Sequence, residues 1–271
     1  MTTTEPNRPA TAPTVTAVIP TLNEADNLRW LLPRLTGVDE IVIVDGESTD
    51  GSAEIAAALR PDARIISQPP RGKGLALQAG FAAATGEVIV MLDADGSMDP
   101  AEIPSFVALV ARGFDFVKGS RYACGGGSED LTFLRRAGNR GLTALANTLY
   151  RTGWSDLCYG YVALRRSAVD TLRLRSTGFE IETEMCVNAV TTGLRIAEVA
   201  SFEGNRLFGE SHLNTWRDGW RVLKMMVGSR VRPVRAVRPV PSPVPAAAPV
   251  AVVSGEAVEP VGLPAAAGVA A

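Results

Sequence analysis

Histidine and cysteine are scarce in this chain, and their scarcity excludes more chemistry than any other feature of its composition. With a single histidine, His212, a His-rich metal centre is ruled out, and a Ser/His/Asp triad would have to run through that residue alone. Cys124, Cys158 and Cys186 are odd in number and show no CxxC spacing. They argue against a disulfide framework or a zinc cluster and suit a reducing cytoplasm. No stretch approaches the roughly 18 to 20 uninterrupted apolar residues of a membrane span. The longest smooth apolar run, around 246–253, is short and contains Pro249, so the protein is not expected to be integral to a membrane. The phosphate-binding patterns GxxxxGKS/T and, after the first apolar segment, GxGxxG are also missing.

What is present suffices for one large domain or two small ones: 271 residues, 46% hydrophobic and 21% charged. Residues 1–14, with five threonines and three prolines, are expected to be a disordered N-terminus without the apolar core of a signal peptide. Residues 233–271 hold eight prolines and no Phe, Tyr, Trp or Ile, and are expected to be a disordered Pro/Ala/Val-rich tail. The folded domain is then 15–232. Net charge is −2, unevenly spread. Residues 15–112 carry 7 Lys/Arg against 14 Asp/Glu, and residues 113–232 carry 17 against 12. An acidic half suits cation binding, and a basic half suits an anionic partner such as a phosphate or a lipid surface, unless both are ordinary solvated faces.

Short β-branched runs at 15–19, 40–44, 64–66, 87–92 and 115–117 have strand length and are apolar on both faces, as in buried parallel strands. Helical patterns at 25–35, 52–59, 74–84 and 101–111 lie between them, and Pro33 should end or bend the first. This alternation predicts an α/β fold, an open, mostly parallel sheet flanked by helices. Further helices are expected at 132–151, 180–192 and 213–228.

On that frame Pro20, Asn23 and Glu24 follow the first strand, Asp45 ends the second and Gly72-Lys73-Gly74 follows the third. Asp93 and Asp95 end the fourth, and Arg121 follows the fifth. All fall on the carboxyl edge of one sheet, where ligands of open α/β folds bind. Asp93 and Asp95 are hard oxygen ligands one residue apart, suited to Mg²⁺ or Mn²⁺; a capping role before the helix near Pro100 is the structural alternative. Lys73, between glycines where a helix begins, is placed to meet phosphate, or else marks a plain glycine turn. Asp45 suits hydrogen bonds from a ribose or base, and Asp50 reads as a cap before Ser52.

The segments VIPTLNEADNL, IVIVDGESTDGS, RGKGLALQAG, VIVMLDADGSMDP and VKGSRY resemble glycosyltransferase family 2 on a GT-A fold. Later segments, SDLCYGYVALRRS, GFEIETEM and EGNRLFGES, resemble its dolichyl/polyprenyl-phosphate hexosyltransferase branch, and the likeness spans about 15–227. The resemblance implies a nucleotide-sugar half (15–120) and an acceptor half (121–232). It implies that Pro20, Glu24, Asp45, Lys73 and Ala94 contact the nucleotide sugar, and that Asp93 and Asp95 hold the diphosphate with Mg²⁺ or Mn²⁺. It further implies that Arg121 and Arg206 face donor or acceptor phosphate, with Ser211 and His212 beside the acceptor phosphate. Two positions depart from the pattern: Gly46 stands where many relatives have a second Asp, and His212 where a Lys follows Gly-Glu-Ser.

The expected reaction is inverting, metal-dependent transfer of a hexose from a GDP- or UDP-sugar. The processive signature QxxRW is missing, which favours polyprenyl phosphate or a small acceptor. A phosphate oxygen needs no general base, whereas a sugar hydroxyl does; Glu182 and Glu184 are candidate bases or contacts to the Arg-rich loop. Leu213, Trp216, Trp220, Leu223 and Val227 share one helix face beside Arg217, Arg221 and Lys224. That face suits either packing on the domain or peripheral contact with an anionic membrane at the inner face of the cell. Two other classes compete: VMLDADGS fits the hhhDxDGS/T opening of haloacid-dehalogenase-like phosphatases but leaves four β/α segments unexplained, and a silent sugar-nucleotide-binding module would lack a core residue, which this chain does not. No nucleic-acid partner is expected.

Overall fold

The structure is a computed structural model that describes residues 12–210, 214–231 and 251–253, the last three by backbone alone. Its first half alternates as β1 (Val15–Thr21), α1 (Ala25–Leu31), β2 (Glu40–Asp45), α2 (Ser52–Leu59), β3 (Arg64–Ser67), α3 (Lys73–Ala83), β4 (Val88–Met91), α4 (Ile103–Ala111) and β5 (Phe116–Ser120). Pro33 acts as expected: α1 stops at Leu31 and one tighter turn, Leu32–Arg34, follows. The second half holds β6 (Gly127–Ser128), α5 (Phe133–Tyr150), β7 (Val162–Arg165), α6 (Arg166–Leu172), α7 (Ile181–Thr191), β8 (Ile196–Ala200), β9 (Phe202–Glu203), α8 (Thr215–Val231) and β10 (Ala251–Val253).

The main sheet runs β10-β8-β5-β7-β4-β1-β2-β3 and is parallel except at β7, which is antiparallel to both neighbours. Period-two alternation explains why it carries helices on both faces. In β1, Ala17 and Ile19 join the core under α1 and α4, while Val18 joins the core shared with α3, α5, α7 and α8. β3 departs from the expected buried strand: its four residues are exposed or half-buried, because it lies at the sheet edge.

β7 is the element the sequence pattern does not announce, and it matters most for the site. Parallel strands end at the carboxyl edge; an antiparallel strand begins there. Tyr159, Gly160 and Tyr161, just before β7, are thereby delivered to the edge where β1, β4 and β5 end. Within the segment expected as a tail, Ala251–Val253 pairs in parallel with β8. Residues 1–11, 232–250 and 254–271 lie outside the described residues, as do Ser211, His212 and Leu213.

Candidate active site

A cavity of about 1230 Å³ opens at the carboxyl edge, beside the crevice between β1 and β4 where the strand order reverses. Pro20, Glu24, Lys73, Asp93, Ala94, Asp95, Arg121 and Arg206 line it. Of the residues expected to converge, Asn23, Asp45 and Gly74 do not line it: Gly46 stands on the wall and Asp45 is buried.

Local structure sets each position. Asn23 and Glu47 take left-handed backbone at φ 54° and 57°, and the two loops are stitched together there. Asn23 N–H donates to Ser48 Oγ and Asn23 Oδ1 accepts from Thr49 N–H. Gly51, at φ 86°, takes the cap position of α2, and Asp50 just before it accepts from the Ser52 amide at 3.0 Å and from the amide of Ala25 at 2.9 Å. Ser52 Oγ in turn accepts from the amide of Glu24. The Glu24 carboxylate is thus aimed by two helix starts. Arg206 Nη1 donates to both its oxygens at 2.9 Å, while burial pushes its pKa up against the pull of Arg206.

Asp93 and Asp95 sit on the turn after β4. Asp95 Oδ1 accepts from the amide and hydroxyl of Ser97, and Oδ2 lies 3.5 Å from Arg206 Nη2. Asp93 is held by Lys73, whose Nζ lies 2.6 Å from its Oδ1 and 2.6 Å from Glu182 Oε1. Burial, with Asp95 and Glu182 nearby, lifts the Asp93 carboxyl to about 6 although Lys73 opposes it. Burial works against the Lys73 charge, but Asp93 and Glu182 outweigh it and hold the ammonium above its ordinary range.

The Gly72-Lys73-Gly74 turn has a geometric cause beyond anion binding. A Cβ on Gly72 or Gly74 would stand 2.3 Å from the carbonyl oxygen of Thr177 or Ser176, and the Gly74 amide already donates to Thr177. The glycines admit the 176–178 loop, and the side chain of Lys73 faces carboxylates. Glu182 and Glu184, indistinguishable by sequence, separate here. Glu182 faces the cavity; Glu184 accepts from the amides of Arg175 and Ser176 and braces the loop.

Arg121 is only 4% exposed and fully engaged. It forms a two-pronged pair with Asp156, donates to Glu203 at 3.0 Å and to the Cys158 carbonyl at 2.9 Å, and stacks 4.8 Å above Tyr159. Asp156 and Glu203, which carried no signal in the sequence beyond lying in the quoted motifs, are thus part of the site's frame. Asn139 adds a hydrogen bond to Asp156, and Glu198 accepts from the amides of Ser155 and Asp156. Cys158 also lines the cavity, yet burial pushes its thiol up to about 12, so it is no nucleophile near neutral pH.

Beyond the charged floor the cavity changes character. Leu131, Leu134, Leu142 and Leu145 from the α5 side face Trp216, Trp220 and Leu223 of α8. The face of α8 expected either to pack on the domain or to meet a membrane is largely outward: Trp216 is 78% and Trp220 58% exposed, whereas Asp218, Val222 and Met226 are buried. No helix among the described residues is long and apolar enough to cross a membrane.

The fold is of the GT-A type, and the chain belongs to glycosyl transferase family 2, whose model matches residues 16–173. Among its relatives is an uncharacterised glycosyltransferase of Mycobacterium tuberculosis, 32% identical over 201 residues, which cover 74% of this chain and 89% of the relative. A dolichol-phosphate mannosyltransferase of Pyrococcus furiosus is 33% identical over 209 residues, 73% of this chain and 59% of the relative. Glucosyl-3-phosphoglycerate synthase of M. tuberculosis, solved with Mn²⁺, UDP and glucosyl-3-phosphoglycerate, shares the fold at a TM-score of 0.65 and 24% identity, covering 83% of this chain and 85% of that one. The protein is a glycosyltransferase. The phosphatase alternative falls, since the three β/α units ahead of β4 and Asp93 are parts of this fold.

Proposed function

We propose that the chain transfers a hexose, with inversion, from a GDP- or UDP-sugar to a polyprenyl phosphate. The observation that carries this is the two-part cavity, charged at its floor and apolar between α5 and α8. The phosphate of such an acceptor suits the first part and its hydrocarbon the second. Relatives act on both kinds of phosphate by name, a dolichol phosphate in one and a phosphoglycerate in another.

The floor fits a divalent cation. Among the described residues the cations paired with Glu24, Asp93, Asp95 and Glu182 are Lys73 and Arg206, so a divalent ion would balance the carboxylates in excess. No cluster of three or more acidic, His or Cys ligands occurs among the described residues. Two hard carboxylates, Asp93 and Asp95, suit Mg²⁺ or Mn²⁺, which fill their remaining positions with phosphate oxygens and water. Bound there, the ion supplies charge stabilisation at the leaving diphosphate. Lys73 and Arg206 add positive charge beside it, and Ser97 fixes the rotamer of Asp95. The acceptor oxygen attacks the anomeric carbon, the bond to the diphosphate breaks, and its electron pair leaves with the nucleotide. A phosphate oxygen is already anionic, so no proton need move and Lys73 keeps Glu182 neutralised. Asp45 Oδ1 is buried without a partner among the described residues, and it would accept a hydrogen bond from the nucleoside only if the Gly46 wall in front of it moved aside.

Trp216 and Trp220 beside Arg217, Arg221 and Lys224 suit peripheral contact with an anionic membrane that presents the acceptor. Arg121 is proposed to act by holding the acceptor loop, since its donors are engaged by protein. Asp95→Ala tests the donor site: turnover should fall about 10³-fold or more, and Mn²⁺-dependent binding of UDP or GDP by calorimetry should be lost, with the melting temperature retained. Metal-dependent nucleotide binding at wild-type strength would refute the assignment.

A further inference from the structure

Residues 203–208 form a strap across the turn that carries Asp95. Gly204 N–H donates to the Ser97 carbonyl at 2.9 Å and Leu207 N–H to the Asp95 carbonyl at 3.2 Å. Leu207 fills the space over Gly96, where a Cβ would meet its side chain at 2.6 Å. Beyond it, Phe208 exchanges hydrogen bonds with the Asn27 side chain of α1. Arg206 projects from the middle of this strap to bridge Glu24 and Asp95.

The strap's charged anchor is Glu203. Its carboxylate accepts from Arg121 Nη1 at 3.0 and 3.2 Å and from the hydroxyl of Ser128. Its carbonyl accepts from the Glu129 amide. Arg121 is in turn immobilised by Asp156, which α5 holds through Asn139. A continuous path of charged hydrogen bonds therefore runs from the buried Asp156–Arg121 pair to Glu203 at the start of the strap, three residues before Arg206. Neither Glu203 nor Ser128 reaches the donor carboxylates.

We infer that Glu203 is a positioning residue for Arg206: by fixing the strap to Arg121 it sets where the Arg206 guanidinium meets Glu24 and Asp95, and so ties the buried Arg121–Asp156 frame to the carboxylate floor. The inference rests on the transfer reading of Arg206 proposed above. A guanidinium useful to a leaving diphosphate must be held in place before the reaction, because reorienting it during the reaction costs the stabilisation it offers.

A double-mutant cycle between Glu203→Ala and Arg206→Ala tests this, with transfer measured as kcat and KM for the sugar nucleotide. Arg206→Ala should slow turnover. Glu203→Ala should lower kcat about tenfold in the native background and less than about twofold in the Arg206→Ala background. Glu203→Asp, which keeps the charge but shortens the reach to Arg121, is measured in both backgrounds as well, so a failure of the alanine variant to fold leaves the test intact; thermal melting monitors each protein. Equal losses in both backgrounds, with Arg206→Ala itself slow, overturn the inference alone. Wild-type turnover by Arg206→Ala overturns the reading of Arg206 and the inference with it.

Discussion

Asp156 carries a consequence for stability that is separable from catalysis. Burial opposes its ionisation, but Arg121, Lys118 and Asn139 outweigh burial and hold its carboxyl below the ordinary 3.8. Replacing it by Ala removes the two-pronged partner of a buried Arg121 and leaves Glu203 as its remaining carboxylate, so the loss should reach at most about 3 to 5 kcal/mol, the cost of a fully broken buried pair. Equilibrium urea unfolding near neutral pH should show that deficit. A depressed folded pKa stabilises fully above the unfolded value and fades as the pH falls toward the folded one, so the gap between wild type and Asp156→Ala should narrow below about pH 4. A gap independent of pH there would contradict the ion-pair account. Individual residues were unequally legible in the sequence. Asp93 and Asp95 stood out because two carboxylates ending an apolar strand have few structural uses. Lys73 was found, yet its true partners, Asp93 and Glu182, lie 20 and 109 residues away, a pairing no spacing reveals. Glu182 and Glu184 share a helix and a residue type, and only packing of the 175–176 amides on Glu184 tells them apart.

Among the elements, the first five strands and the helices between them were readable because a doubly covered sheet writes continuous apolar runs into its strands. Ends shifted by a few residues, as for β4, expected over 87–92 and found over Val88–Met91. β7 and β8 escaped notice since four- and five-residue strands in helix-rich sequence leave little periodicity to detect. For α8 the pattern was visible but its direction was not. The burial of Asp218, Val222 and Met226 turns the tryptophan stripe outward, because Asp218 caps the helix start through Asn214 while Met226 and Val222 complete the core against α5 and α7. The outward Trp stripe lies beside Lys224, Arg217, which is 3.4 Å from Asp218, and Arg221, which pairs with Glu180 at 3.0 Å, and this face should bind anionic surfaces. Reversing Arg217, Arg221 and Lys224 to Glu should reduce co-flotation with phosphatidylglycerol vesicles at low salt about tenfold or more, each cation near such a surface contributing about 1 kcal/mol. Unchanged flotation would remove α8 as the contact.

The molecule as a unit joins an acidic half and a basic half across one sheet edge. Glu24, Asp93 and Asp95 follow β1 and β4, and Lys73 opens α3; the other half supplies Glu182 from α7, Arg206 from the strap and the apolar wall from α5 and α8. Their imbalance was visible in the charge count, but the way the halves interlock was not, because it depends on an antiparallel strand and on contacts such as Arg206 to Glu24 across 182 residues. The family is settled by the chain itself, and the acceptor is where the proposed account is most exposed. The direct measurement is to supply the purified full chain with Mn²⁺, radiolabelled GDP-mannose, UDP-glucose or UDP-GlcNAc, and polyprenyl phosphate together with small sugar and phosphoglycerate acceptors, then to partition the products between organic and aqueous phases. The account predicts label in the organic phase, dependent on polyprenyl phosphate and abolished by chelation. Label confined to a water-soluble product would contradict it.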